Sequence, residues 1–489
     1  MQPDIFYLCR RKTIGQMLFN SLEFAIFLPI VFLLYWFVFQ RNLKAQNLFI
    51  VAASYFFYGC WDWRFLFLIA LTSLCSWGSG LLIERHRGHP VAKAVHILNI
   101  VLNLGILALF KYYDFFATSF ARAFLHGNTD GLLLHLVLPV GISFYTFQAL
   151  SYSIDVYRQK MAPVRDIIQF FAFVSFFPQL VAGPIERATN LLPQFGQARH
   201  FDYDTAVDGL RQILWGLFKK IAIADGCGLF VDRVFGAYQE QSGFTLAIAA
   251  VLFAFQIYGD FSGYSDIAIG TSKLFGIRLM RNFNNPYFSR DIAEFWRRWH
   301  ISLTTWFRDY VYIPLGGSRV SKAKIVRNTF IIFLLSGFWH GANWTFLAWG
   351  AYHALLFLPL ILLGRNRKYT NTIAEGRALP SLTELLQMTL TFVLAVIGWV
   401  FFRADTISQA WHYLTLIPHG GQPDLTGLAP LCAYILIMLT TEWLNRSREH
   451  GLDLRNIKSH PLKFTIYYLI IIILFLSYNG TESFIYFQF

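Results

Sequence analysis

The property that most constrains this chain is a succession of long apolar segments that contain almost no charged residues. The stretch from Thr329 to Leu363, for example, has no Asp, Glu, Lys or Arg. Soluble domains contain about 25% charged residues, whereas this chain has 14% charged and 56% hydrophobic residues. Apolar runs of about 20 residues cross a bilayer as helices, which satisfy their own backbone hydrogen bonds in hydrocarbon. The composition therefore predicts an all-α polytopic membrane protein.

The apolar segments provide thirteen candidate membrane helices or halves of helical hairpins. They are residues 22–39, 47–60, 64–83, 95–116, 132–154, 167–183, 207–224, 244–273, 329–342, 344–363, 384–402, 428–444 and 464–478. Several are short or contain Gly and Pro, such as Pro139 and Pro178, which predicts re-entrant or broken helices. We expect about ten to twelve full spans in one transmembrane domain, residues 17–489. Residues 1–16 form a polar N-terminal extension, and Met17 is a second candidate start.

Basic residues are concentrated in the loops between the apolar segments. Residues 278–327 contain ten Lys and Arg against three Asp and Glu, a net charge of +7, and further basic residues lie in 85–93 and 446–463. The positive-inside rule makes these loops cytoplasmic, and the last span then carries the C-terminus to the extracytoplasmic side. The formal charge of +13 thus indicates topology, and no nucleic-acid partner is expected. The five cysteines form no CxxC pair, so neither a disulfide framework nor a metal site is expected.

His340 is an ionisable residue inside one of the apolar segments. Thirteen residues separate it from Arg327, which in a helix is about 20 Å, deep within a hydrocarbon core of about 30 Å. An ionisable side chain at that depth predicts proton transfer or substrate binding; the alternative is a hydrogen bond to a neighbouring helix. Asn343 follows one turn later on the same helical face, so we expect it to orient His340 within the binding site.

The basic segment contains two aromatic stretches, Phe295–His300 and Trp306–Tyr310. They predict short amphipathic helices at the membrane surface, with Trp as anchors and Arg facing water. The guanidinium groups suit a phosphate-rich ligand such as coenzyme A; the alternative is contact with anionic membrane lipid. The candidate binding residues of the first stretch are Trp296, Arg297, Arg298 and Trp299.

Two further polar positions are candidates. His300 follows Trp296 by four residues, hence on the same helical face, and either takes part in the chemistry or forms a structural hydrogen bond. Asp260 and Asp266 end an apolar run, but their six-residue spacing does not place them on one helical face, so a paired acid–base site is not expected. Asp260 is predicted instead to cap or orient a polar partner at the binding site.

Four segments together resemble the membrane-bound O-acyltransferase (MBOAT) family. They are Asp260–Asp266, Arg281–Tyr287, Phe295–Gly317 and Ser336–Trp344. The chain looks most like the bacterial branch typified by the membrane subunit of alginate O-acetyltransferase, from about residue 17 to the C-terminus. The resemblance implies a helical bundle around a funnel or tunnel, with His340 matching the invariant histidine of the family and His300 its second histidine.

The resemblance also implies a reaction and its participants. Acetyl-CoA is expected as a cytoplasmic acyl donor, with no bound cofactor, and an exported polysaccharide as the acceptor. An extracytoplasmic partner of the SGNH type is expected to complete the transfer. The protein itself is expected in the inner membrane of a bacterium. His340 would act as general base, and His300 would position the donor or the developing oxyanion.

The C-terminal tail, Phe484–Phe489, is rich in aromatic residues and is expected to fold back into an apolar cavity. Tyr486 either belongs to an interfacial anchor or carries the acyl group on its phenolic oxygen, as in related systems with a similar tail. Two other functions remain open: a glycan transporter or flippase, and a noncatalytic scaffold of an export complex. The lack of internal repeats disfavours a transporter.

Overall fold

The computed structural model describes residues 17–129, 131–181, 183–478, 480 and 484–485, and in these residues it contains helices and no strand. The predicted all-α class is confirmed. The α-helices of the described chain are α1 (Leu22–Leu33), α2 (Leu43–Gly59), α3 (Phe65–Arg85), α4 (Pro90–Leu107), α5 (Tyr113–Phe124), α6 (Ile142–Tyr157), α7 (Ile167–Ser175), α8 (Phe177–Leu180), α9 (Ala188–Phe195), α10 (Tyr203–Leu217), α11 (Gly226–Gly236), α12 (Gly243–Leu274), α13 (Ile292–Arg298), α14 (Ile301–Phe307), α15 (Lys322–His340), α16 (Trp344–Leu362), α17 (Leu382–Arg403), α18 (Ile407–Leu416), α19 (Leu428–Leu444) and α20 (His460–Ser477). Short π-helical segments extend four of these helices: Leu34–Val38, Ala108–Tyr112, Phe218–Asp225 and Arg308–Tyr312.

Six helical segments of the described residues are long and apolar enough to cross a bilayer. They are α3, the continuous stretch Pro90–Phe124, α12, α16, α17 and α20, and two shorter apolar helices are Leu22–Val38 and Leu428–Leu444. The predicted ten to twelve full spans exceed this number because several apolar runs are interrupted. The run 167–183 is split between α7 and α8 at Phe176, and the run 132–154 becomes helical only at Ile142.

Helix α12 lies at the centre of the bundle, where 72% of its most apolar stretch is buried, against 6% for α20. Its principal neighbour is α10, which it approaches at two pairs of glycines. A Cβ on Gly209 would lie 2.6 Å from the backbone oxygen of Gly270, and a Cβ on Gly216 would lie 2.5 Å from that of Gly263. The pairs are two turns apart and run in opposite chain directions, so the two helices are antiparallel and in backbone contact, as small residues permit in membranes.

We predict that Gly263→Val destabilises the protein by about 1–3 kcal/mol or more, because the new side chain would force α10 away from α12. The matched control is Gly105→Val, since a Cβ at Gly105 meets nothing within 4 Å. Thermal unfolding of the two variants in detergent measures the difference. An equal unfolding temperature for both would contradict the close contact.

Candidate active site

His340 is the last residue of α15, and only 3% of it is exposed. The helix ends there because the backbone becomes extended at Gly341 (φ −164°, ψ 155°). Aromatic rings surround the imidazole edge-on: the centroids of Trp339, Trp349 and Phe402 lie 5.1, 5.3 and 5.3 Å from its own. The apolar segment therefore places His340 inside the protein, where its ring is held by large neighbours.

His300 lies between two short helices, after α13 ends at Arg298 and before α14 begins at Ile301. Its backbone is left-handed (φ 44°, ψ 54°), a conformation that costs a non-glycine residue about 1–2 kcal/mol. The side chain is 1% exposed, and its Nδ1 lies 3.1 Å from Oδ1 of Asn282. The prediction that His300 shares a helical face with Trp296 is wrong, because the helix breaks between them.

The structure brings the two histidines together. Their ring centroids are 6.2 Å apart, although 40 residues separate them in the sequence, and the ring of Trp339 lies 5.7 Å from that of His300. Each ring nitrogen can form a hydrogen bond of about 2.8 Å, and the rings are close enough to contact neighbouring groups of one small ligand. The pair can therefore act on one substrate.

Lys111 belongs to the same site, and sequence reasoning missed it. Its ammonium donates to the carbonyl oxygens of Trp339 (2.8 Å) and His340 (2.9 Å), and the hydroxyl of Tyr112 donates to the carbonyl of Phe338 (3.1 Å). These bonds satisfy carbonyls left without partners at the end of α15. Lys111 forms no ion pair with a carboxylate in the part of the chain that is described. A lysine inside the apolar run 95–116 was the signal in the sequence.

Each histidine has a cavity close to it: His340 lines the first, and Asn282, the hydrogen-bond partner of His300, lines the second. The first, with an empty volume of about 530 Å³, is lined by Lys111, Trp339 and His340 together with the turn before α6. The second is more polar, with an empty volume of about 320 Å³, and Asn282 is among its lining residues. The other polar side chains of the second cavity are Lys219, Tyr258, Ser262, Ser265, Asp266, Arg281, Asn285, Glu442, Glu449 and His450.

The four aromatic and basic candidates on α13 and at its end are inside the protein rather than on the membrane surface. Trp296 and Trp299 are 7% and 1% exposed. Arg298 pairs with Glu294 at 2.8 Å, and Arg297 donates to backbone carbonyls of the loop after α16. The predicted surface helix with Arg facing water is therefore wrong for this stretch, because Arg298 is paired with a buried carboxylate and Arg297 is bonded to main-chain carbonyls. A role for these residues in binding the donor stays a prediction.

Asn343 and Asp260 have partners that the sequence did not indicate. Asn343 caps α16, accepting from the backbone N–H of Thr345 at 3.1 Å and donating to the carbonyl of Asp405 at 3.0 Å. It does not share a helical face with His340, because α15 ends at His340, so that expectation is wrong. Asp260 pairs with Lys220 at 2.7 Å.

Asp260 also holds the described part of the C-terminal tail. Its Oδ2 accepts the backbone N–H of Ile485 at 2.6 Å. Phe484 is fully buried and packs on Tyr264 and Phe261, with centroids 4.7 and 5.6 Å away. The tail thus folds back into the protein at these two residues, as predicted, and Phe261 in turn contacts the ring of His300 at 4.6 Å. Tyr486 lies outside the described residues.

Two other buried groups flank the site. Glu186, in the turn between α8 and α9, accepts hydrogen bonds from the side chain of Asn190 (2.6 Å) and from the backbone N–H of Met280. It anchors the segment that leads to Asn282, and burial raises the pKa of its carboxyl to about 7. His353 on α16 is separated from His340 by Trp349, and neither of its ring nitrogens has a hydrogen-bond partner among the described residues.

The sequence model of the membrane-bound O-acyltransferase family matches residues 163–378. The probable alginate O-acetylase AlgI of Pseudomonas aeruginosa is 41% identical over 84% of this chain and 78% of its own length. The chain belongs to the membrane-bound O-acyltransferase family. The peptidoglycan O-acetyltransferase of Helicobacter pylori is 34% identical over 95% of this chain and 90% of its own length. The teichoic acid D-alanyltransferase of Bacillus subtilis is 27% identical over 55% of this chain and 69% of its own length. As a member of the family, the protein is an O-acyltransferase, and the resemblance predicted from the motifs is confirmed.

We predict that Lys111→Met lowers kcat/KM for acyl transfer about tenfold or more. The change leaves two carbonyls at the end of α15 without their donor, which costs about 1–3 kcal/mol each and frees the turn that positions His340. Lys93→Met is the control, because Lys93 is an exposed residue of α4. Radiolabelled acyl transfer by the purified variants measures the effect, and equal activities would show that Lys111 is dispensable.

Proposed function

We propose that this membrane enzyme takes an acetyl group from cytoplasmic acetyl-CoA and passes it across the bacterial inner membrane for O-acetylation of an exported polysaccharide. The observation that carries the proposal is the pair of buried histidines with ring centroids 6.2 Å apart, of which His340 lines one cavity and His300 is bonded to Asn282, which lines another. Relatives named alginate O-acetylase and peptidoglycan O-acetyltransferase support a cell-surface glycan as the final acceptor.

The donor would enter through the polar cavity. Arg281 and His450, which line it, belong to basic loops that the positive-inside rule makes cytoplasmic. On this topology the wider cavity beside Lys111 faces the outside, and the C-terminus is extracytoplasmic. The thioester carbonyl would then be presented between His300 and His340.

In the chemical step, His340 would accept the proton of the acceptor hydroxyl as its oxygen attacks the thioester carbonyl. The carbon–sulfur bond breaks, and the leaving thiolate takes up the proton, so that the products are an O-acetyl ester and free coenzyme A. His300 would hold the donor in place, and the dry aromatic surroundings exclude water that would hydrolyse the thioester.

The hydroxyl that receives the acetyl group is proposed to be the phenol of Tyr486. A carrier is needed because donor and polysaccharide lie on opposite sides of the membrane. An aryl ester is a good acyl donor, so the group would pass from Tyr486 to a serine of an extracytoplasmic SGNH-type partner. The burial of Phe484 against Phe261, next to His300, supports a tail that reaches the site.

We predict that His340→Gln reduces acetyl transfer from acetyl-CoA about 10²–10⁴-fold, the usual contribution of a general base. His353→Gln is the matched control, since it replaces an equally buried histidine outside the site. Transfer by purified protein and acetylation of the polysaccharide in cells are both measured. Acetylation at the wild-type level in His340→Gln would refute the proposal and leave a transporter or a scaffold as the remaining functions. Failure of the unmodified protein to consume acetyl-CoA would have the same consequence.

We predict that Tyr486→Phe abolishes acetylation of the polysaccharide, because it removes the phenolic hydroxyl and keeps the aromatic ring. Phe487→Tyr in the same variant tests whether a neighbouring phenol can replace it. Mass spectrometry of the C-terminal peptide should detect an added acetyl group only when Tyr486 is present. Normal acetylation in Tyr486→Phe would leave the tail as an anchor.

A further inference from the structure

Asn282 is a fully buried amide that connects three elements of the active site. Its Oδ1 lies within hydrogen-bond distance of Nδ1 of His300 (3.1 Å), of the hydroxyl of Ser302 (2.9 Å) and of the backbone N–H of Ser302 (3.3 Å). Its Nδ2 donates to the hydroxyl of Ser265 on α12 at 3.2 Å. Neither the reaction proposed above nor the family motifs give this residue a task.

The orientation of this amide is fixed by its neighbours. A backbone N–H can only donate, so the atom of Asn282 that faces the N–H of Ser302 must be the oxygen. A carbonyl oxygen can only accept, so Nδ1 of His300 must carry the proton of their hydrogen bond. A neutral imidazole has one ring proton, and the aromatic surroundings of His300, with no carboxylate in contact among the described residues, favour the neutral ring. His300 is thus held with a lone pair on Nε2.

That Nε2 is buried and has no hydrogen-bond partner in the described part of the chain. Buried polar atoms are rarely left so, because an unmade bond costs about 1–3 kcal/mol. The rings nearest to His300 are Phe261 at 4.6 Å, Trp339 at 5.7 Å and His340 at 6.2 Å, and Trp339 and His340 line a cavity. The site therefore offers a hydrogen-bond acceptor to a group that arrives with the substrate.

We infer that Asn282 is a positioning residue that locks His300 as a hydrogen-bond acceptor, and that His300 binds an N–H of the acyl donor rather than the oxyanion. An oxyanion needs a donor, which a bare Nε2 cannot supply. A coenzyme A thioester carries a secondary amide N–H a short distance from its sulfur, so the group recognised is an amide of the thioester arm. This inference rests on the proposed function. It identifies the amide of the thioester arm as the group of the donor that His300 recognises.

Backbone hydrogen bonds around Asn282 and His300 hold the two residues in this arrangement. The carbonyl of Asn282 accepts the N–H of Ile301 at 2.9 Å, and the N–H of Asn284 donates to the carbonyl of Arg298 at 2.9 Å. These bonds join the two chain segments side by side and hold His300 in its left-handed conformation. The tautomer is therefore set before any substrate binds.

The first test exchanges the amide. Asn282→Leu removes the acceptor and should lower kcat/KM about 10–100-fold, as the loss of a residue that orients a histidine does elsewhere. Asn103→Leu, which removes another buried amide bonded to Ser76 and Asn99, controls for general damage. Wild-type kcat/KM in Asn282→Leu, or a loss in Asn103→Leu as large as in Asn282→Leu, with both variants folded by size exclusion, would overturn the inference.

The second test varies the donor. S-acetyl-N-acetylcysteamine has the amide N–H, and its N-methyl analogue lacks it. We expect the wild type to prefer the first in kcat/KM by about tenfold or more, the value of one buried hydrogen bond, and Asn282→Leu to lose that preference. Equal use of the two donors by the wild type would overturn the inference. Failure of the wild type to use acetyl-CoA at all would instead overturn the proposed function.

The third test reads the tautomer directly and does not depend on activity. In nitrogen-15 spectra of histidine-labelled protein, the resonances that disappear in His300→Gln belong to His300. They should show a protonated Nδ1 and an unprotonated Nε2 in the wild type. A protonated Nε2 would overturn the inference.

Discussion

The backbone contact of α10 with α12 is the constraint on which the site depends. Because the two helices touch at paired glycines, α12 has one position and one rotation in the bundle, and the residues along it are fixed in turn. Phe261 faces His300, Ser265 faces Asn282, and Asp260 faces the C-terminal tail. Each connects α12 to a different segment, so the glycine contact positions groups that are far apart in the sequence.

Buried charges are the second organising force. Consecutive lysines on the π-helical segment after α10 pair with carboxylates on α12: Lys219 with Asp266 at 2.5 Å and Lys220 with Asp260 at 2.7 Å. A charge left without a partner in this interior would cost several kcal/mol. The two ion pairs therefore fix the register of the π-helical segment against α12. The sequence indicated that the two aspartates do not share a helical face, but it gave no indication of their lysine partners, which come from another helical segment.

The apolar runs predicted the helical class and the length of α12 well, because hydrophobicity and span length are properties of a segment by itself. His340 and His300 were found for a similar reason: an ionisable residue in an apolar run, and a motif shared with a family. The predictions that were wrong depended on the residues at which helices end. Trp296 and His300 were expected on one face, and Asn343 beside His340, because a continuous helix was assumed where the chain turns. Lys111 and Asn282 were missed because their roles arise only from contacts across the bundle.

The tail is held at Asp260 through the backbone N–H of Ile485, not through a side chain. A main-chain donor is the same in nineteen of the twenty amino acids and is missing only in proline. The hydrogen bond itself therefore excludes only proline at residue 485, whereas the burial of Phe484 and Ile485, 0% and 5% exposed, requires apolar side chains at both positions. The main chain thus sets the depth at which the tail is held, and the buried surroundings set which side chains it can carry, so an exchange between apolar residues at 485 would preserve both.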